Sequence, residues 1–139
     1  MEFNSFSFTV TGSPISINKL YYNRGRRARI LSDTGKRFKF FVGHVANSAK
    51  RGAGIRDIIE TPVTVYIQFY FKTRAGDADN CVKAILDALT GVIWKDDKQV
   101  ADNGERGVTD TGTRFRLVAE KWKDAKNPRT KVTIHYQTN

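Results

Sequence analysis

The chain has 139 residues, and its 24 Lys and Arg residues exceed its 14 Asp and Glu residues, which gives a formal net charge of +10 at pH 7. This length suits a single domain over residues 1–139, and the one cysteine excludes both a disulfide framework and a cysteine-rich zinc site. Since no apolar run approaches about 18 residues and no signal-peptide pattern is present, we expect a soluble, cytoplasmic protein without membrane contact. The basic charge favours a polyanionic partner, most often nucleic acid.

The first half of the chain predicts one strand, one long loop and one helix. Residues 6–10 alternate between apolar and polar, which is typical of a half-buried strand, and residues 12–31 are rich in Asn, Gly, Tyr and Arg and predict a loop. The pair Ser32–Asp33 offers helix caps, and Gly52 ends the helix. The apolar stripe of this helix consists of Phe38, Phe41, Val42, Val45, Ala46 and Ala49, and its other faces carry Lys36, Arg37, Lys39, Lys50 and Arg51.

The second half predicts a strand, a helix and two further strands. Residues 62–71 form the strand, whose core face consists of Val63, Val65, Ile67, Phe69 and Phe71. Residues 79–90 form the helix, with a core stripe of Val82, Ile85, Leu86 and Leu89. After a polar loop, residues 114–122 and 131–137 alternate as strands. The order β-α-β-α-β-β predicts an α+β fold in which two helices pack on a mixed sheet.

An acidic stretch interrupts this basic chain, because residues 77–110 hold eight acids and only four Lys or Arg residues. Asp77 and Asp79 are two positions apart where a loop enters the second helix, so both carboxylates can face one cation. Lys83 lies one turn further on, on the helical face opposite the apolar stripe. Simpler interpretations stay open, in which Asp79 is the N-cap of the helix and Lys83 makes an ordinary i,i+4 ion pair.

A second acidic pair, Asp96 and Asp97, follows the helix. The apolar residues Ile93–Trp94 come directly before it, and we expect them to anchor the segment on the core, although a solvated turn would also explain the pair. Gathered carboxylates repel one another unless a cation neutralises them. Hard oxygen ligands suit Mg²⁺ or Mn²⁺, and neither His44 nor His135 lies in a context that favours zinc.

The predicted loop near the start of the chain combines basic and aromatic residues. Its basic and amide side chains can bind phosphates, and its tyrosines can stack on exposed bases. The alternative is a flexible basic loop without a partner. The residues that we expect to contact nucleic acid are Asn18, Lys19, Arg24, Arg26, Arg27 and Arg29.

In combination, these motifs resemble the RusA family of Holliday-junction resolvases, which are endonucleases common in prophages. The resemblance is carried by residues 14–18, by the stretch Tyr22–Arg26, and above all by Asp77-x-Asp79-Asn80-x-x-Lys83 followed by Ile93-Trp94-x-Asp96-Asp97-x-Gln99-Val100. It covers roughly residues 6–101 and the final strand. Two departures stand out, since Gly76 occupies a position where a basic residue can occur, and residues 103–116 look like an insertion.

The resemblance implies a homodimer that binds four-way junction DNA and nicks two strands symmetrically with Mg²⁺ or Mn²⁺ and no small-molecule cofactor. By position, it implies that Asp77, Asp79 and Asp97 are the catalytic carboxylates and metal ligands, that Lys83 is the catalytic lysine, and that Asp96 is a further candidate ligand. Asp102 falls where the family often has an acid.

Two other functions remain to be weighed against this one. The acids could be caps and turns in a non-catalytic, basic nucleic-acid-binding module. A metal-dependent glycosyltransferase also uses a DxD motif, but the short chain and the charge of +10 argue against it.

Overall fold

The computed structural model describes residues 2–25, 28–96, 99–100 and 117–138. The strands are β1 (Glu2–Thr11), β2 (Tyr21–Arg24), β3 (Ala28–Leu31), β4 (Val63–Phe71), β5 (Leu117–Lys123) and β6 (Arg129–Thr138). The helices are α1 (Asp33–Gly52) and α2 (Ala78–Leu89), and a short 3-10 helix spans Ile17–Lys19. Among these described residues, no helix is long and apolar enough to span a bilayer.

Four of the strands form one mixed sheet with the order β1-β6-β4-β5. β6 pairs antiparallel with both β1 and β4, whereas β4 and β5 run parallel. A parallel pair needs a crossover connection, and α2 lies within the one that joins β4 to β5. The predicted α+β class, with two helices and a mixed sheet in the order β-α-β-α-β-β, is confirmed.

One face of the sheet carries the hydrophobic core. The five apolar side chains predicted to share a face of β4 are all buried, and they form one cluster with Phe6, Phe8 and Val10 of β1 and with Val132 and Ile134 of β6. The buried apolar side chains of both helices belong to the same cluster. The helices therefore cover one face of the sheet, and polar and aromatic residues occupy the other.

α1 begins at the predicted cap, since the Ser32 side chain accepts a hydrogen bond from the backbone N–H of Gly35 at 2.9 Å. Two predictions about its faces are wrong, because Phe41 is 41% exposed whereas Lys50 is only 3% exposed. The buried row of α1 repeats every four residues through Phe38, Val42 and Ala46 to Lys50, and so ends on a lysine.

Burial of Lys50 is compensated by hydrogen bonds to the backbone. Its Nζ donates to the carbonyls of Asp57 at 3.1 Å, Val92 at 3.4 Å and Arg56 at 3.5 Å. Burial lowers the pKa of this ammonium. Lys50 thus ties α1 to the loop before β4 and to the segment that follows α2.

α2 is one residue out of register with the prediction, and its buried stripe is rotated. The fully buried residues are Cys81, Ala84, Ile85, Ala88 and Leu89, whereas Val82 and Leu86 are half-buried. Small residues such as Cys and Ala give a weak apolar signal in sequence. The prediction therefore relied on the larger side chains beside them, and its stripe is rotated away from the residues that are most buried.

The prediction of a loop over residues 12–31 is wrong for most of its length. This region contains the 3-10 helix and a two-stranded hairpin, in which Tyr21 pairs with Leu31 and Arg24 with Ala28. Gly25 has a φ of 75°, a left-handed conformation that suits glycine at the turn. Polar and basic residues on both strands hid the alternation from sequence analysis.

Candidate active site

Asp77 lies at the N-terminus of α2 as its N-cap. Its Oδ1 accepts from the backbone N–H of Asn80 at 3.3 Å, and its Oδ2 accepts from the Asn80 side-chain amide at 2.8 Å. The alternative in which Asp79 caps the helix is therefore wrong, and Asp79 is an exposed residue of the first turn. Both carboxylates sit where the helix dipole favours negative charge. The Asp77 carboxylate keeps lone pairs that Asn80 does not use.

The loop that leads to Asp77 closes tightly on β4. A Cβ atom placed on Gly76 would lie only 2.2 Å from Cδ1 of Phe71, a ring that is 7% exposed. The absence of a side chain lets Gly76 rest on this ring. The glycine that sequence analysis marked as a departure from the family therefore sets the path of the backbone into the acidic motif.

A cleft of about 530 Å³ lies beside α2 and the segment that follows it. Its lining residues are Ile17, Lys83, Leu86, Asp87, Thr90, Lys95 and Asp96. Two residues selected from distant parts of the sequence motif, Lys83 and Asp96, thus come together. Asp77 and Asp79 do not line this cleft, and Asp79 lies one helical turn before Lys83 on the same side of α2.

The segment after α2 is anchored as predicted, since Ile93 and Trp94 are fully buried. Trp94 Nε1 donates to Thr90 Oγ1 at 3.0 Å, and the backbone N–H of Gly91 donates to the Trp94 carbonyl at 2.7 Å. The chain therefore leaves the helix in a fixed turn, which determines where Lys95 and Asp96 emerge.

Sequence analysis missed the role of Gln99 in this segment. Its Oε1 accepts from the backbone N–H groups of Lys95 and Asp96, each at 2.9 Å. Its Nε2 donates to the carbonyls of Ile59 at 2.7 Å and Thr61 at 3.0 Å. One amide side chain thus clamps the acidic turn to the loop before β4. The motif that carries the family resemblance includes Gln99, but its spacing does not show which groups the side chain contacts.

Asp87 was also missed, and it joins the hairpin to α2. Its Oδ2 accepts from the Tyr21 hydroxyl at 2.7 Å and from Lys39 Nζ at 2.9 Å. The Arg29 guanidinium lies over the Tyr21 ring, 4.3 Å from its centroid. Burial alone would lower the pKa of Lys39, but its bonds to Tyr21 and Asp87 outweigh that effect and raise it. The spacing of Asp79, Lys83 and Asp87 at four-residue intervals was the available signal.

Only some of the residues predicted to contact nucleic acid lie together in the described part of the chain. Asn18 and Arg29 line a second cleft of about 390 Å³ together with Tyr21, Tyr22 and Asn23. Arg24 is exposed on β2, and Lys19 lies in the 3-10 helix. Arg26 and Arg27 lie outside the described residues, as do Asp97, Asp102 and the possible insertion at residues 103–116.

The charges of Lys19 and Asp77 shift the pKa of the buried Cys81 thiol in opposite directions. The pKa of Cys81 is raised to about 11, chiefly by burial, with a smaller increase from the charge of Asp77 and a decrease from that of Lys19. Cys81 is 3% exposed, so this thiol is buried. The basic 3-10 helix and the acidic start of α2 are therefore neighbours.

A comparison with protein families identifies the family of this chain. The family model described as Endodeoxyribonuclease RusA matches residues 11–135. The chain belongs to the RusA endodeoxyribonuclease family. Membership implies Holliday-junction resolvase nuclease activity, with junction DNA as the substrate. No curated protein matches the chain.

RusA-family nucleases are typically metal-dependent, but the metal prediction stays a prediction for this member. Within residues 2–25, 28–96, 99–100 and 117–138, no three His, Cys, Asp or Glu side chains form a group that could hold an ion. The predicted ligand set includes Asp97, which lies outside these ranges. Both histidines are exposed, and the His44 ring stacks on Phe40 with 6.4 Å between the centroids.

Proposed function

We propose that this RusA-family protein is a Mg²⁺- or Mn²⁺-dependent, homodimeric endonuclease of prophage type that resolves four-way DNA junctions by paired, symmetric nicks. The observation that carries the proposal is the cleft in which Lys83 of α2 meets Asp96 of the following turn. Family membership supplies the chemistry, and the cleft joins the two halves of the motif that carries the resemblance.

Each of these residues has a distinct task in the proposed reaction. Asp77, Asp79 and Asp97 would hold the cation, with Asp96 as a further candidate ligand, because carboxylates are the hard oxygen donors that Mg²⁺ prefers. When bound, the ion would supply a water of lowered pKa and neutralise charge on the phosphate. Lys83 is exposed in the cleft, so its ammonium can stabilise negative charge on the scissile phosphate.

The basic and amide residues predicted to contact nucleic acid would hold the DNA. Asn18, Lys19, Arg24, Arg26, Arg27 and Arg29 would bind the phosphate backbone, which makes the affinity strongly dependent on salt. A junction offers two equivalent strands, so a twofold dimer with two sites is a natural way to cut both.

A synthetic four-way junction with each strand labelled in turn tests the proposal. We expect paired nicks in Mg²⁺ that disappear in EDTA and fall by about 10²-fold or more in Asp79→Asn, because the cation that would stabilise the transition state loses a ligand. Asp33→Asn is the matched control, since Asp33 also lies exposed in the first turn of a helix. Loss of nicking in both variants would contradict the assigned role of Asp79.

A non-catalytic, basic nucleic-acid-binding module is the second candidate. It is favoured by one observation, namely that Asp77 serves as an ordinary helix cap. Tight junction binding without cleavage in Mg²⁺ or Mn²⁺ would establish the module and refute the nuclease. In metal-free buffer, the nuclease proposal expects Asp79→Asn to bind DNA as well as the unchanged protein or better, since one repulsive charge is removed.

A further inference from the structure

A basic, aromatic cleft lies at the far end of β5, outside the candidate active site. It has a volume of about 390 Å³ and is lined by Arg74, Lys121, Trp122 and Lys123. All four side chains are exposed, and Trp122 is 52% exposed. The other tryptophan, Trp94, is fully buried. An exposed tryptophan among three cations is not accounted for by the core or by the proposed reaction.

Hydrogen bonds orient the Trp122 ring. Its Nε1 donates to Glu120 Oε2 at 3.0 Å, and Gln68 Nε2 donates to the same oxygen at 3.5 Å. In the parallel register Trp122 lies beside Tyr70, on the face of the sheet that the helices leave uncovered. Because the indole N–H is already used, the ring offers its flat apolar surface to a ligand.

The electrostatic balance of this region is positive. The Glu120 carboxylate accepts a hydrogen bond from the Trp122 indole, and Asp124 forms an ion pair with Arg129 in which Oδ2 and Nη1 are 2.9 Å apart. The lining cations Arg74, Lys121 and Lys123 outnumber these acids even before Arg129 is counted. Phosphates are the ligands that such a group of exposed cations attracts.

The cleft adjoins the acidic motif through Phe71. Lys121 Nζ lies 5.8 Å from the centroid of the Phe71 ring, which is also the ring on which Gly76 rests. Arg74 precedes Asp77 by three residues, in a turn where the Thr73 hydroxyl accepts from the backbone N–H of Ala75 at 3.3 Å. The cations of this cleft therefore lie beside the loop that leads to the acids, and the cleft reaches round the outer edge of β5 to Trp122.

We propose that this cleft is a second nucleic-acid contact, in which Trp122 stacks on an unpaired or unstacked base and Arg74, Lys121 and Lys123 bind the adjoining phosphates. The inference rests on the proposed function for its ligand, DNA. Stacking on aromatic side chains needs an open base face, which a junction centre offers and a continuous duplex does not. Trp122 accordingly contributes to the preference for branched DNA.

Binding measured in EDTA tests this contact without cleavage. We expect Trp122→Ala to weaken the affinity for a four-way junction by about 10-fold and that for a linear duplex by less than about 2-fold, with partial recovery in Trp122→Phe. Phe40→Ala is the matched control, because Phe40 is an aromatic residue with 79% exposure on α1. Unchanged melting temperatures would confirm that the variants are folded.

Two further measurements use the same proteins. Tryptophan fluorescence should be quenched on junction binding in the unchanged protein and not in Trp122→Phe, because Trp94 is buried. Lys123→Ala should reduce the slope of log affinity against log salt by roughly 1. Lys126→Ala is the control and should leave the slope unchanged, because Lys126 is exposed but lies outside the cleft.

The outcomes separate this inference from the proposed function. Normal nicking with unaltered junction affinity in Trp122→Ala would overturn the contact and leave the nuclease intact. A Trp122-dependent preference for junctions in a protein that never cleaves DNA would support the contact and refute the nuclease. Equal losses on junction and duplex, or a change of oligomeric state in Trp122→Ala, would overturn base stacking as the role of this residue.

Discussion

The turn after α2 lines the cleft that contains Asp87, and the β2–β3 hairpin bonds to Asp87 through Tyr21, but the two are attached to the protein in different ways. The turn is fixed by the buried Trp94 and by the four hydrogen bonds of Gln99. The hairpin is exposed along β2 after Tyr21, and polar contacts at its base and at Asp87 hold it. Asp96, a proposed ligand, thus stands on a buried scaffold, whereas Arg24 and Arg29, proposed to bind DNA, stand on an exposed hairpin.

Replacement of Trp94 should give the largest effect on the scaffold side of this comparison. Trp94→Ala removes a fully buried indole and leaves a cavity, so we expect the free energy of unfolding to fall by about 3–5 kcal/mol. Trp122→Ala is the control and should change it by less than about 0.5 kcal/mol, since that ring is 52% exposed. Urea unfolding followed by circular dichroism measures both. Equal losses of unfolding free energy in the two variants would show that Trp94 does not stabilise the fold more than Trp122 does.

Gln99→Glu tests the clamp itself. The new carboxylate can still accept from the backbone of Lys95 and Asp96, but it cannot donate to the carbonyls of Ile59 and Thr61. We expect a loss of about 2–3 kcal/mol in the free energy of unfolding, because buried acceptors lose their donor. Nicking should fall by about 10-fold or more at a temperature where the variant is folded, since small displacements are costly to catalysis. A stable but fully active variant would show that the clamp does not position the acids.

Gly35→Ala addresses the base of the hairpin. A Cβ atom at Gly35 would lie 2.2 Å from the carbonyl oxygen of Leu20, the residue directly before β2. We expect a loss of about 1–3 kcal/mol from overpacking. Gly52→Ala is a matched control in the same helix, because nothing lies within 4 Å of a Cβ at that position. It should be neutral or stabilising by up to about 1 kcal/mol, and a similar loss in both variants would exclude the contact with Leu20 as the cause.

Sequence analysis succeeded for the scaffold because its signals are local. The alternation of β4 and the apolar pair Ile93–Trp94 are visible without knowledge of any distant residue, and the structure buries both as predicted. Lys50 was placed wrongly because its burial depends on carbonyl acceptors up to 42 residues away. A charged side chain is expected at the surface until such partners are known.

The missed parts of the candidate site have the same origin. Tyr21 and Asp87 are 66 residues apart, and Gln99 lies 40 residues from Ile59. No spacing rule links such pairs, so their roles appear only when the fold brings them together. The family motif, by contrast, is written in two short stretches that can be read directly, and this is why the family could be identified before the clamp or the hairpin.

Asp87→Asn breaks the link between the two regions at a single point. Asparagine can still accept a hydrogen bond from Tyr21, but the ion pair with Lys39 is lost. The side chains of Lys39 and Asp87 are 32% and 36% exposed, so the free energy of unfolding should fall by only about 0.5–1 kcal/mol. Loss of a negative charge should by itself tighten DNA binding. We nevertheless expect the nicking rate of the bound complex to fall several-fold, because the hairpin is less firmly held.

Glu60→Gln is the control for this variant. It removes an exposed ion pair with Lys95, in which the two atoms are 3.8 Å apart and both side chains are 73% exposed. Single-turnover nicking with saturating enzyme measures the rate independently of affinity. An unchanged rate in Asp87→Asn would mean that the position of the hairpin does not matter for cleavage.

At neutral pH the smallest effect is expected at Cys81, near the start of α2. Since its pKa is raised from 9.0 to about 11, the thiol ionises in the unfolded chain before it does so in the folded protein. Stability from this group is present below pH 9 and is lost as the pH rises toward 11, by at most about 1.4 kcal/mol per pH unit. Urea unfolding between about pH 8 and 10 should therefore show a shallower decline in Cys81→Ala. The raised pKa of Lys39 has the same sign but acts only above 10.5, and parallel profiles for the two proteins would show that Cys81 does not carry the effect.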